Sequence, residues 1–157
     1  MQTPGQKVKI LFLCTGNSCR SQMAEGWARR LKGNLIDPYS SGILKHEVNP
    51  HAVKVMAEAG VDISTQYSKT IEEIGPVPFD YVVTVCSHAN AHCPVFPGKV
   101  KIFHLAFDDP PQLTAGLPDG AEKLAVYRRV RDEIRAFVMT LPGALADAAG
   151  DEEKALH

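Results

Sequence analysis

Apolar positions fall along the chain in two textures. Four stretches are short and dense, at 8–13, roughly 35–40, 81–86 and 100–105. The first and third, "VKILFL" and "YVVTVC", are nearly continuous apolar runs rich in β-formers, which suits central strands covered on both faces. Between them the apolar residues recur at helical spacing. Residues 21–32 put Met23, Trp27 and Leu31 on one face. "NPHAVKVMAEAG" offers Asn49 as N-cap, Pro50 at the first helical position and Gly60 as terminator. Residues 119–141 carry the longest stripe: Leu124, Tyr127, Val130, Ile134, Phe137 and Val138. Strands alternating with helices predict an α/β fold, a parallel sheet with helices on both faces.

No repeat or linker divides the 157 residues, so one catalytic domain is expected over 1–142. The last fifteen residues, "GALADAAGDEEKALH", are small and acidic and read as a flexible tail over 143–157. A net charge of −1 gives no reason to expect a nucleic-acid or anionic-membrane partner. No apolar run approaches the ~20 residues that span a bilayer. The start "MQTPGQKVKI" lacks a secretory pattern, so the expected location is cytoplasmic, and the expected state is a monomer.

The cysteines change the picture. Cys14, Cys19, Cys86 and Cys93 are spaced C-x4-C and C-x6-C, unlike the C-x2-C pairs of zinc sites. His88 and His92 lie between the second pair, but no metal is expected. In a reducing compartment such cysteines point to catalysis or redox chemistry.

Cys14 opens "CTGNSCRS", between the first strand and the first helix. Open α/β sheets bind ligands at such junctions, where free N–H groups and the helix dipole favour an anion. Gly16 and Asn17 tolerate the positive φ that curls a chain into an N–H nest. Arg20 adds a planar fork for two oxygens. Thr15, Gly16, Asn17, Ser18, Cys19, Arg20 and Ser21 are therefore the expected binding set, with Cys14 as nucleophile. The same field is expected to lower the Cys14 pKa, with the Ser21 hydroxyl donating to the sulfur.

"CTGNSCRS" resembles the active-site loop of the low-molecular-weight protein tyrosine phosphatases and of the arsenate reductases that share their fold. The likeness continues through "YSSG", "VNPHAVKVM", "VVTVCSHANAHCP", "FDDP" and "RVRDEI", nearly the whole chain. It implies a four-stranded parallel sheet with helices on both faces. It also implies a general acid just before a proline, which here is Asp109 before Pro110, with Asp108 as the rival. The oxygen that departs when sulfur attacks an oxyanion must be protonated.

Nothing in a phosphatase needs Cys86 and Cys93, whereas "CSHANAHCP" resembles the redox segment of thioredoxin-coupled arsenate reductases. The resemblance implies a cascade. Cys14 attacks arsenate, Cys86 attacks Cys14 and releases arsenite, Cys93 takes over the disulfide, and thioredoxin reduces it. No cofactor is bound, and phosphate or sulfate would compete for the loop. Seven residues apart on a helix, Cys86 and Cys93 would lie roughly 10.5 Å apart along the axis. A disulfide needs Cα atoms within about 7 Å, so a helical reduced segment would have to unwind to oxidise.

Two departures matter. Some of these reductases bind potassium beside the loop, at positions matching Asn17, Glu25 and Ser40, but the expected carboxylate is here Lys69, which would repel the cation. The tyrosines that follow the acid in the phosphatases are replaced by "PPQL". Trp27 is expected in the core, and His104 as a packed histidine. Three functions share these residues: arsenate reduction, phosphatase activity with bystander cysteines, and non-catalytic oxyanion binding or thiol redox sensing.

Overall fold

The computed structural model describes residues 6–86, 96 and 100–148. Cys93, the segment around it and the end of the acidic tail lie outside the described residues.

The strands are β1 (Val8–Cys14), β2 (Ile36–Gly42), β3 (Tyr81–Thr84) and β4 (Lys101–His104). They form one parallel sheet in the order β2-β1-β3-β4, so the two apolar runs are the central strands. Ile10, Leu11, Phe12 and Leu13 are all wholly buried. Successive strand residues point to opposite faces, so both faces of the sheet are covered there.

Helix α1 (Arg20–Lys32) packs against β2 and against the long helix α5 (Ala121–Val138). Tyr127, Val130, Ile134 and Val138 carry the buried stripe of α5, while Leu124 and Phe137 pack at its margin. Trp27 is in the core, and its indole N–H donates to the Arg131 carbonyl at 3.2 Å. Helix α2 (Pro50–Glu58) begins as its sequence predicts: the Asn49 side chain accepts from the His51 and Ala52 amides. Gly60 follows the helix at φ 85°, a left-handed conformation that a side chain would strain.

Two short helices escape the periodicity, being single turns. Helix α3 (Ile71–Ile74) is started by a capping box between Thr70 and Glu73, and α4 (Pro110–Leu113) by Asp109 and two prolines. Three expectations shift. The strand at 81–86 ends at Thr84. His104 is exposed on the edge strand, where its Nδ1 meets Thr84 Oγ1 at 2.7 Å, so it is tethered and not packed. Residues 143–148, read as the start of the tail, are helical, and Leu145 is buried in the core. No helix among the described residues is long and apolar enough to cross a membrane.

Candidate active site

β1 ends at Cys14 and α1 begins at Arg20, so the intervening residues must turn sharply at the C-terminal edge of the sheet. Asn17 makes the turn at φ 49°, the only positive φ among the described non-glycine residues. Its buried side chain holds that conformation. Nδ2 donates to Ser21 Oγ at 2.9 Å, and Oδ1 accepts from Gln22 Nε2 at 2.9 Å and from the Lys69 amide at 3.0 Å.

The loop carbonyls all find donors on one side. Those of Cys14, Thr15 and Ser18 accept from the amides of Ile43, Leu44 and Asn49. The Gly16 carbonyl accepts from Ser68 Oγ at 2.9 Å and that of Asn17 from Gln22 Nε2 at 3.0 Å. In a trans peptide the C=O and the next N–H point in opposite directions. The N–H groups that follow these carbonyls are therefore turned away from the anchors, and Cys14, Thr15, Gly16, Ser18, Cys19 and Arg20 line a cleft of about 410 Å³. This is an anion nest built by outside anchors as much as by the loop's own sequence. A larger groove of about 490 Å³ lies elsewhere, beside Trp27 and Arg135, and no thiol lines it.

Of the predicted binding set, Asn17 and Ser21 do not line the cleft. Both are wholly buried and brace the loop from behind. Ser21 accepts from Asn17, which leaves its hydroxyl proton for another acceptor. Sequence reasoning missed His46, which faces the loop across the cleft: a Cβ on Gly16 would come within 2.8 Å of its ring. It also missed Gly42, paired with Cys14 in the sheet. A Cβ there would stand 2.4 Å from the Leu44 carbonyl oxygen and 2.8 Å from the Asn17 amide nitrogen, both backbone atoms. Gly42→Ala is expected to lower stability by about 1–3 kcal/mol, as overpacking does, and to weaken phosphate binding. Urea denaturation and calorimetric titration with phosphate would check both effects.

Arg20 is nearly buried and is oriented by the segment that bears the acid. Nη1 donates to the Phe107 carbonyl at 2.9 Å, and Nη2 lies 3.6 Å from Asp109 Oδ2. Its Nε is buried with no protein partner, a donor left for an oxyanion. The two candidate acids separate cleanly. Asp109 lines the cleft with its side chain 33% exposed, whereas Asp108 is 60% exposed and pairs with Arg129 at 3.1 Å.

The sheet register closes the long gap between the cysteines. Leu13 is paired with Thr84, and the Val85 amide donates to the Leu13 carbonyl, which brings Cys86 to Cys14. Both thiols are buried and neither is in a disulfide, and Cys86 is near enough to Cys14 to bear on its protonation. Thr15 Oγ1 stands 3.2 Å from Cys86 Sγ. The hydrogen bond to Cys86, followed by burial, pushes the Cys14 thiol well above its usual range, while Arg20 and the Thr15 backbone pull it down. In the closed pair, burial and the second thiol thus work against the lowering that loop and helix predict. Loop and helix argue for a thiolate, but the opposing partner is a residue distant in sequence. Burial likewise pushes Cys19, which lines the wall of the cleft, up to about 12, against the pull of Arg20.

Beneath the loop, Glu25 accepts from Ser40 Oγ at 2.6 Å and from Arg29 at 2.8 Å, and the Lys69 ammonium lies 3.7 Å from it. Burial lowers the Lys69 pKa, and Glu25 raises it back in part.

The chain is 51% identical over 134 residues to an arsenate reductase of Halalkalibacterium halodurans, covering 85% of this chain and 94% of the relative. Its fold is similar to a solved arsenate reductase in the phosphate-binding state, at TM-score 0.66 and 34% identity over 85% of this chain and 95% of that one. It is also similar to the low molecular weight protein tyrosine phosphatase of T. tengcongensis, at TM-score 0.68 and 28% identity over 86% and 97% of the two chains. The family model for low molecular weight phosphotyrosine protein phosphatases matches residues 9–149, from the first strand through the loop, the acid and the last long helix. By fold, by loop and by this match, the chain belongs to the low molecular weight phosphotyrosine protein phosphatase family.

Proposed function

We propose that this protein reduces arsenate to arsenite by a thiol–disulfide cascade. The observation that carries the reading is the buried Cys86 thiol that the sheet register brings beside the Cys14 thiol at the loop. A phosphatase has no use for a second thiol there. A reductase needs one within reach of the sulfur that receives the substrate.

Arsenate is gripped by the loop amides and the Arg20 fork. As the oxyanion draws the loop and Arg20 to itself, Cys14 and Cys86 part, and Cys14 passes its proton to an oxygen of the bound arsenate. The Cys14 thiolate attacks arsenic, an As–O bond breaks, and Asp109 protonates the departing oxygen, which leaves as water. Cys86, its sulfur held beside the Thr15 hydroxyl, then attacks the Cys14 sulfur. The S–As bond breaks, and its electron pair goes to arsenic, which departs as arsenite. Cys14 and Cys86 become a disulfide, two thiol sulfurs having supplied the two electrons. Cys93 attacks Cys86 and frees Cys14, and a thioredoxin dithiol reduces the Cys86–Cys93 bond. The C-x6-C spacing supports the thioredoxin step. The cleft rim favours a small anion over an aryl ester, because Pro111 and Gln112 stand where the phosphatases carry tyrosines.

Arsenate-dependent NADPH oxidation tests the whole reading. Turnover is expected with thioredoxin and thioredoxin reductase and not with glutathione and glutaredoxin. Turnover with glutaredoxin alone would replace the donor, and turnover with neither would defeat the reductase assignment.

A further inference from the structure

The polar cluster under the loop does not fit a bare alkali cation. Glu25 is 5% exposed and Lys69 8% exposed. The oxygens such a cation would seek are already engaged. Glu25 Oε1 lies 3.7 Å from the Lys69 ammonium, and the Tyr67 carbonyl accepts from that ammonium at 3.1 Å. The Tyr67 ring lies under it, with 4.5 Å from nitrogen to centroid. A second positive charge in this space would meet the first with little water between them.

Lys69 also touches the loop through its main chain. Its amide donates to Asn17 Oδ1 at 3.0 Å, and its carbonyl accepts from the Gly42 amide at 2.8 Å. One residue thus ties three elements together: α1 through Glu25, the anion loop through Asn17, and β2 through Gly42. We propose that Lys69 is a positioning residue for the oxyanion loop, its ammonium serving as the permanent counter-cation of buried Glu25 and making anion affinity independent of alkali cations. This rests on the reading of the loop as an oxyanion site.

Without the ammonium, Glu25 keeps only Ser40 and Arg29, and the Arg29 side chain is 54% exposed. A buried carboxylate left so poorly paired draws in water or a cation, and the 67–69 segment moves to admit it. Asn17 then loses one of the two donors that fix its acceptor oxygen, and the loop around it loosens.

The test is calorimetric titration with inorganic phosphate, in potassium chloride and in tetramethylammonium chloride at equal ionic strength. The wild-type protein is expected to bind equally in both salts. Lys69→Met is expected to bind about tenfold more weakly in tetramethylammonium chloride, part of what an unpaired buried charge costs, and to recover in potassium chloride. The double variant Glu25→Gln/Lys69→Met, with both charges gone, is expected to bind more tightly than Lys69→Met in tetramethylammonium chloride. Potassium-dependent binding by the wild type overturns the proposal, and that result needs no variant to fold. An unaffected Lys69→Met overturns it too, as does a loss equal in both salts that the double variant does not relieve. Phosphate binding needs no electron donor, so failure of arsenate reduction leaves the test standing. A wild type that binds no phosphate in either salt would instead sink the loop reading itself.

Discussion

Cys86→Ser is expected to stop arsenate reduction while leaving Cys14 able to attack an oxyanion. The substitution keeps a hydrogen-bonding group beside Thr15 and Cys14, so the loop and the cleft should survive. It removes the sulfur that would take Cys14 out of its arsenic adduct. The expected loss in thioredoxin-coupled turnover is at least about a thousandfold, the order seen when a nucleophile is removed. Hydrolysis of p-nitrophenyl phosphate, which needs only Cys14, Arg20 and Asp109, should persist. A second readout follows from the thiol pair. Cys86 raises the Cys14 pKa by its nearness and, once ionised, by its charge, and serine does not ionise. The Cys14 pKa should therefore fall, and its alkylation by iodoacetamide, followed by mass spectrometry, should set in at lower pH than in the wild type. Sustained arsenate turnover by Cys86→Ser would overturn the cascade.

Asp109→Asn should slow the first chemical step by about 10²–10⁴-fold, the usual contribution of a positioned general acid. Asparagine can still face Arg20, so the loss should fall on kcat more than on KM. The neighbouring carboxylate supplies the control. Asp108→Asn removes one exposed ion pair with Arg129, worth at most about 1 kcal/mol of stability, and should leave turnover near wild type. Stopped-flow measurement of a single arsenate turnover isolates the step that Asp109 serves. Equal losses in the two variants would show that the acid has been assigned to the wrong side of the turn.

The sequence exposed what depends on neighbours along the chain. The buried runs around Phe12 and Val83 announced two central strands, Asn49 and Pro50 announced a helix start, and Cys14 to Arg20 announced the anion loop. Asp109 is favoured over Asp108 by its place before Pro110, and of the two it is Asp109 that lines the cleft while Asp108 pairs with Arg129. What stayed hidden depends on register. That Cys86 comes beside Cys14 follows from the pairing of Leu13 with Thr84, and its nearness works against the expected lowering of the Cys14 pKa. Asn17 and Ser21 looked like ligands because they stand in the loop, but their side chains turn inward to partners on α1 and at Lys69. His46 carries no motif, and Gly42, though it ends "YSSG", gives no sign of its packing; both join the site because β2 runs beside β1.

The loop carbonyls take their hydrogen bonds from residues 43, 44, 49 and 68, and Asn17 takes one from residue 69. A peptide cut from 14–21 would lack those donors, so anion affinity is a property of the assembled protein. Binding and folding then form one linked equilibrium. An oxyanion at a hundred times its dissociation constant adds about 2.7 kcal/mol to stability, and the first turns of local unfolding that release segment 66–69 also release the anion. In a cell, free phosphate would act on this chain as competitor and chaperone together, slowing its chemistry while prolonging its folded life.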